Sequence, residues 1–367
     1  MLKICHFTTA HEVDDIRIFI KECTSLAKKL DYQVYLVGRG KSERKNGVSI
    51  VGLEYNSKNR LDRMFNFSRK VYKEALKIDA DVYHFHDPEL LRYALKLKRL
   101  GKKVIYDSHE DVPKQILSKE WLPFSLRNII SKILEKYEKR VIKKIDITIT
   151  ASLIVTERFS RINDKNCTIN NFALLTKDKE FNSDNFDKKR SIICYAGGLT
   201  KVRNIHNIVK AMDNVEGKLI LAGPCDGSYK NYLEKLSGWE KTRYIGKVRR
   251  KQVDKLYYIS YIGIFIYSAE PNHKNSFPNK LFEYMYAGIP VICSNFDHYK
   301  KIVEVNNCGL CVDPENVPEI SKAINYLLEN RNIAKQMGLN GHKVVVEKYN
   351  WNIEERKLME VYKNLEN

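Results

Sequence analysis

The chain has 367 residues, 43% of them hydrophobic and 30% charged, and Lys and Arg exceed Asp and Glu by 64 to 45 for a formal net charge of +19. That composition describes a soluble globular chain of about two domains with ample core. It excludes a membrane-spanning protein, because no apolar run approaches the ~18 residues that cross a bilayer. In chain order, strands are expected at Leu2–Phe7, Gln33–Val37, Val48–Leu53, Val82–His86, Lys103–Asp107 and Ile147–Ala151. Between them lie helical stretches. Ile16, Phe19, Ile20, Cys23, Leu26, Ala27 and Leu30 keep one helical face, as do Ile129, Ile130, Ile133, Leu134, Tyr137, Val141, Ile142 and Ile145. The second half repeats the plan at Ile192–Ala196, Lys218–Ala222, Thr242–Ile245, Gly263–Tyr267, Val291–Ser294 and Cys311–Val312.

Such alternation argues for α/β architecture, with two Rossmann-like domains built on parallel sheets. The boundary candidate is the polar stretch Thr176 to Arg190, which lacks apolar periodicity. It divides the chain into an N-terminal domain, 1–172, and a C-terminal domain, 173–350. The opening MLKICHFTTAHE reads as a strand without the length or cleavage pattern of a signal peptide, which predicts a cytoplasmic protein. Eight cysteines in a chain this long do not make a disulfide framework. Cys5, Cys194 and Cys293 sit in apolar strand patterns, and Cys308 and Cys311 form one C-x-x-C without the second pair that structural zinc requires.

Ligands of open parallel sheets bind beyond the carboxyl ends of the strands. Three polar clusters fall at such ends: Thr8 to Phe19, His84 to Leu90, and Asp107 to Asp111. Their His and carboxylate groups suit sugar hydroxyls, a phosphate or a shifting proton. Taken singly, His84 also fits an ordinary strand position, and Asp107 and Asp111 also fit helix caps. Three clusters at successive strand ends favour a shared cleft. In the second half, a strand enters Gly197-Gly198, where a side-chain-free backbone permits close approach, and Lys201 and Arg203 follow within reach of a diphosphate. Further on, Pro278 and Asn279 open a helix whose apolar face carries Leu281, Phe282 and Met285 and which Gly288 ends. Its free N–H groups suit a phosphate, Lys280 can add charge, and Glu283 can accept from a vicinal diol such as ribose. The same pattern also fits an ordinary α/β helix with a solvated Glu.

The segment SFPNKLFEYMYAGIPVI, residues 276 to 292, resembles the donor-site signature of the retaining GT-B glycosyltransferases of family 4. That signature is Glu, seven residues, Glu, then a helix ending in A-G-x-P-V. Glu283 matches the second Glu, which in the family binds the nucleotide ribose. The first, which touches the donor sugar and the reacting centre, falls at Asn275. The resemblance extends to Asp15-Ile16-Arg17-Ile18-Phe19, to His84–Pro88 as H-x-H-D-P, to Asp107–Glu110 as D-x-H-E, and to Gly223 and Gly246-Lys247-Val248. It implies a GT-B fold with a cleft between the domains and a last helix, about 351–367, crossing back onto the first.

The resemblance also implies roles. His86 would lie near the donor sugar and phosphates, with Asp15, Arg17, Asp87, His109 and Glu110 on the acceptor side. Gly197, Gly198, Gly223, Lys247, Val248, Asn279, Lys280, Leu281 and Glu283 would line the donor site. Gly198 stands where the family has an Arg and Arg203 where it has a Lys, so Arg203 becomes the main diphosphate cation, with Lys280 as helper. No metal or other cofactor is implied, the nucleotide-diphosphate sugar being a co-substrate. No D-x-D follows a strand where it could carry a diphosphate-bound metal.

The charge excess is uneven, with +12 in residues 1–172 and +7 in the rest. Residues 59–77 and 127–144 are basic and amphipathic, the first carrying Met64, Phe65 and Phe67 among its cations. Such faces suit an anionic membrane surface, and they also fit a solvated Lys-rich face. Nucleic acid is disfavoured, since the cations form no known binding module. The resulting expectation is a retaining, metal-independent hexosyltransferase held at the inner membrane face. It would move sugar from a nucleotide sugar to a hydroxyl of a lipid-linked glycan in cell-surface polysaccharide synthesis, such as a capsule or O-antigen. The alternatives are a nucleotide-sugar isomerase or epimerase on the same fold, and a basic membrane- or nucleic-acid-binding protein with a relict sugar site.

Overall fold

A computed structural model of the chain describes residues 1–55, 59–117, 122–151, 153–175, 186, 191–270, 273 and 277–366. Most of the expected boundary segment Thr176 to Arg190, and Asn275, lie outside the described residues. The chain forms two compact units, Met1–Asn171 with Trp351–Asn367, and Phe172–Asn350.

The first unit carries an eight-stranded sheet: β1 (Leu2–Glu12), β2 (Tyr32–Arg39), β3 (Glu43–Lys45), β4 (Val48–Leu53), β5 (Val82–Phe85), β6 (Lys103–Ser108), β7 (Ile147–Thr150) and β8 (Asn166–Thr168). Their spatial order is β3-β4-β2-β1-β5-β6-β7-β8. Every described pairing is parallel except that of β3 with β4. The second unit carries β9 (Ile192–Ala196), β10 (Lys218–Ala222), β11 (Thr242–Tyr244), β12 (Ile262–Phe265), β13 (Val291–Ser294) and β14 (Gly309–Val312), ordered β11-β10-β9-β12-β13-β14 and parallel throughout. These are the two doubly wound sheets that the strand–helix alternation predicts. Strands beyond the reading, β3 and β8, are edge pieces of sequence ERK and NCT, with too few apolar residues to signal a strand.

Central strands of such a sheet are covered on both faces, so their residues are buried without alternation. All four residues of β5 are buried, and so are those of β12 and β13. This settles the orientation of Tyr83 and His84: neighbours on one strand, they point to opposite faces and both are fully buried. In each sheet the strand order reverses at one place, between β1 and β5 and between β9 and β12, and it is beyond the carboxyl ends of the strands at such a reversal that open α/β sheets bind ligands.

Two helical faces depart from the periodicity. In the helix Phe124–Ile142, Val141 and Ile142 are buried, but Ile129 and Ile133 on the same apolar face are 54% and 64% exposed. After β1 the helical segment opens as a wide π-type turn, Ile16–Cys23, whose N-cap Asp15 accepts from Arg17 N at 2.8 Å and Ile18 N at 3.0 Å. Phe19, Cys23 and Leu26 pack inward and Leu30 is exposed.

The last helix, Trp351–Glu366, packs within the first unit through Trp351, Leu358, Val361 and Tyr362. Trp351 Nε1 donates to Ser25 Oγ at 2.9 Å, and Glu354 Oε2 accepts from Asn170 N at 2.8 Å. Trp351 is the largest of the fully buried side chains. Trp351→Ala should therefore destabilise the first unit by about 3–5 kcal/mol in urea unfolding followed by circular dichroism, and Trp351→Phe by much less. A Trp351→Ala protein as stable as the parent would show that the helix does not anchor this unit.

Candidate functional sites in the two units

In the second unit the site grows from the turn after β9. Gly197 has φ 146°, and a Cβ there would stand 2.8 Å from Lys280 Nζ. Its N–H donates to Ala222 O at 2.8 Å, and a Cβ on Gly223, whose φ is 142°, would lie 2.0 Å from Gly197 O. Two strand-end loops thus cross at van der Waals contact, which only glycine permits.

Around this crossing stand two cations. Arg203 Nη1 donates to Gly198 O at 3.0 Å. Lys280, second residue of the helix Asn279–Tyr286, donates through Nζ to Tyr267 Oη at 2.9 Å and sits 4.0 Å from the Tyr195 ring centroid. Burial works against the Lys280 charge, but Tyr267 and Tyr195 outweigh it and hold the ammonium charged. Among the described residues, neither Arg203 nor Lys280 makes an ion pair with a carboxylate. Two cations held by tyrosines and a carbonyl, beside bare backbone and a helix start, are an arrangement with the chemistry to receive an anion of more than one charge.

Glu283 lies one turn further along the same helix. It pairs with the Arg250 guanidinium, and its Oε2 accepts from Tyr257 Oη at 3.0 Å. It is therefore an oriented acceptor and not a loosely solvated side chain. Asn279 is exposed at the helix start, whereas Leu281 is fully buried and serves packing. Lys247 is exposed and Val248 half-buried after Gly246, whose carbonyl accepts from Gly223 N at 2.7 Å. Lys201 lines a surface recess of about 470 Å³ with His206, Ser228, Tyr229 and Tyr232.

The first unit's cluster is organised differently, with its charges spent on one another. Arg17 grips Asp107 through two bonds of 3.0 Å and donates from Nη1 to Ile169 O at 2.8 Å. Burial opposes ionisation of Asp107, yet Arg17 and His109 hold its carboxyl well below the usual range. His86 is buried at the end of β5, its Nδ1 facing Asp107 Oδ2 and His109 Nε2, each at 3.3 Å. Asp87 is buried as well, and its Oδ2 accepts from Thr8 Oγ1 at 2.7 Å and from the N–H groups of Thr9 and Ala10 at 2.6 and 3.2 Å. Arg17 and Asp87 thus hold the loops. The cluster meets solvent at His11, His109, Asp15 and Glu110. His11 Nδ1 lies 3.2 Å from Asp15 Oδ2, and its ring packs 5.1 Å from that of His109.

Several residues here lie beyond the candidates read from the sequence, His84 excepted, which opens the His84–Leu90 cluster. Tyr195 and Tyr267 surround Lys280, and Arg250 and Tyr257 hold Glu283. His6, Glu22, His84 and Tyr362 lie beneath His86, where His6 Nδ1 is 3.1 Å from His86 Nε2. The register of β1 on β5 sets His6 beside His84. The alternation of the first strand could have flagged His6; nothing near residue 362 could have flagged Tyr362.

Two family models match the chain, "Glycosyltransferase Family 4" over residues 18–172 and "Glycosyl transferases group 1" over residues 176–344. Two uncharacterized glycosyltransferases of Methanocaldococcus jannaschii are similar to it. One is 27% identical over 47% of the chain and 44% of its own length, and the other 24% identical over 81% and 79%. The chain thus spans under half of the first relative. Among solved structures, a sucrose-phosphate synthase from Thermosynechococcus elongatus superposes with TM-score 0.78 at 16% identity, covering 100% of this chain and 99% of that one. HepE of Anabaena, solved with UDP and glucose, gives 0.74 at 12% over 99% and 100%. WaaG, a glycosyltransferase involved in lipopolysaccharide biosynthesis, gives 0.72 at 12% over 98% and 99%. With both family models matched in order on two doubly wound units, the chain belongs to the group 1, family 4 glycosyltransferases of GT-B fold.

Proposed function

We propose that the protein is a retaining glycosyltransferase that takes a hexosyl unit from a nucleotide-diphosphate sugar and places it on a hydroxyl of a lipid-linked glycan at the inner membrane face. The observation that carries the donor half is the pair Arg203 and Lys280, converging on Gly197-Gly198 without a carboxylate partner among the described residues. A diphosphate leaving group gains charge as the glycosidic bond breaks, so cations and N–H groups fixed beforehand stabilise the transition state more than the ground state. With that charge met by side chains, the diphosphate needs no metal. Glu283, oriented by Arg250 and Tyr257, takes the ribose diol. The complex of HepE with UDP and glucose supports a donor of this class. Retention proceeds on one face of the sugar, the leaving phosphate accepting the acceptor's proton. The first unit binds the acceptor through His11, His109, Asp15 and Glu110, with His86, Arg17 and Asp87 holding them from below.

Membrane attachment rests on the helix Phe124–Ile142. Phe124, Leu126, Ile129, Ile133 and Tyr137 are exposed on it beside Lys132, Lys136, Lys139 and Arg140. Phe65 and Leu61 are likewise exposed in the other basic stretch. An exposed apolar stripe flanked by cations fits an interfacial helix better than a solvated one, since apolar groups gain by entering the acyl boundary. No helix among the described residues is long and apolar enough to cross a membrane.

Three outcomes follow. Glu283→Ala should weaken binding of the preferred nucleoside diphosphate by about 1–3 kcal/mol in calorimetry while the fold is kept; unchanged affinity removes Glu283 from the site. Arg203→Ala and Lys280→Ala should each lower kcat by roughly a hundred- to a thousand-fold with a smaller effect on donor KM; wild-type turnover in both would end the diphosphate assignment. Vesicle sedimentation should require anionic lipid and weaken with salt. It should be lost on reversing Lys136, Lys139, Arg140 and Lys143 to Glu, and reduced by Ile129→Ser with Ile133→Ser. Equal binding to neutral vesicles, or a charge-reversed protein that still sediments, would mark the face as merely solvated.

A further inference from the structure

We propose that His6, Glu22, His84 and His86 form a closed binding site for a divalent transition-metal ion, zinc by its ligand set, inside the first unit. All four are buried, and one ligand atom from each lies within 4.8 Å of the others. His6 sits on β1, His84 and His86 at the end of β5, and Glu22 on the turn Ile16–Cys23. Three imidazoles and one carboxylate are a zinc-type donor set, and four protein ligands without an open position mark a structural site.

The strongest support is how the outer atoms are arranged. A metal-ligating histidine nearly always donates its second ring N–H to an oxygen, which fixes its tautomer. Here each has such a partner. His86 Nδ1 faces Asp107 Oδ2 at 3.3 Å, leaving Nε2 for the metal. His6 Nε2 meets Tyr362 Oη at 3.0 Å, leaving Nδ1. His84 Nδ1 meets the same Tyr362 Oη at 2.8 Å, and its Nε2, wholly buried, has no hydrogen-bond partner among the described residues. Among the described residues no N–H or hydroxyl donor hydrogen-bonds either Glu22 oxygen, although Glu22 Oε1 is ion-paired with Arg17, whose Nε stands 3.1 Å away.

His6 Nδ1 and His86 Nε2 are 3.1 Å apart, close to the ~3.3 Å edge of a zinc tetrahedron. Glu22 Oε2 is 4.0 Å from His6 Nδ1 and needs only a small shift. The ion lies within the first unit and takes no part in diphosphate chemistry. It would fasten β1, β5 and the π-type turn beneath His86, and it revises the expectation of a metal-free chain.

The test uses the full chain expressed with zinc, desalted, and measured by plasma mass spectrometry. About one zinc per chain is expected, with a tetrahedral cobalt(II) spectrum after exchange. His84→Ala and Glu22→Gln should abolish zinc retention, and His109→Ala should not. Tyr362→Phe, which keeps every ligand, should weaken zinc by roughly 10- to 100-fold in competition with a chelator. Wild-type chain that retains no zinc and binds neither zinc nor cobalt on titration would overturn the site. So would equal retention in His84→Ala and Glu22→Gln. Loss in His109→Ala with retention in His84→Ala would overturn it too, moving the ion to His86, Asp107 and His109. If His84→Ala does not fold, wild-type stoichiometry and the cobalt spectrum still decide.

Discussion

The ion pair between Arg17 and Asp107 is the constraint on which the first unit's polar centre depends. Both side chains are buried, and two hydrogen bonds of 3.0 Å join them. A buried pair of this kind adds little net stability over an apolar one, but removing one partner leaves a charge stranded in a poor dielectric. Its value is therefore positional. Arg17 ties the turn after β1 to the end of β6 and, through Ile169 O, to the chain leaving β8. Asp107, fixed in place and held ionised, then orients His86 and His109. Segments at three strand ends are joined by one guanidinium, and Asp107 carries the link on to His86 after β5.

The two units handle charge in opposite ways, and the contrast carries the functional reading. In the first unit's polar cluster the buried charges of Arg17 and Asp107 are matched to each other, and the rim residues meet solvent. In the second, Arg203 and Lys280 are brought together without a carboxylate partner among the described residues, tyrosine oxygens and rings surrounding the buried ammonium. Two like charges held side by side repel, and a doubly charged ligand of the kind proposed would offset that repulsion. Glu283, on the same helix as Lys280, is meanwhile held by a cation and a hydroxyl, oriented but not sealed from solvent.

The exposed stripe on the helix Phe124–Ile142 shows how one periodic face can serve two environments. Its C-terminal end enters the core at Val141 and Ile142, and its N-terminal end projects Phe124, Ile129 and Ile133 outward among lysines. Leaving these groups in water is unfavourable, so a surface that covers them gains free energy.

Much of this was legible along the chain. Strand and helix alternation gave the two doubly wound sheets, because apolar runs and helical periodicity are local consequences of burial. The Gly197-Gly198 turn with Arg203 after it, and the helix start that carries Lys280 and Glu283, were legible as local elements, because a tight turn and a helix start need their residue types at short, fixed spacing. Edge strands β3 and β8 were not, since an edge needs little apolar content. Periodicity placed Ile129, Ile133, Val141 and Ile142 on one face but could not say which of them would be covered. Only the tertiary structure decided what meets across distance. The parallel register of β1 on β5 set His6 against His84, the last helix brought Tyr362 to both, and the fold carried Lys280 to Gly197. Side-chain type and spacing are properties of the chain, whereas hydrogen bonds between residues 6, 84 and 362 exist only once the sheet is assembled and the final helix has packed against it.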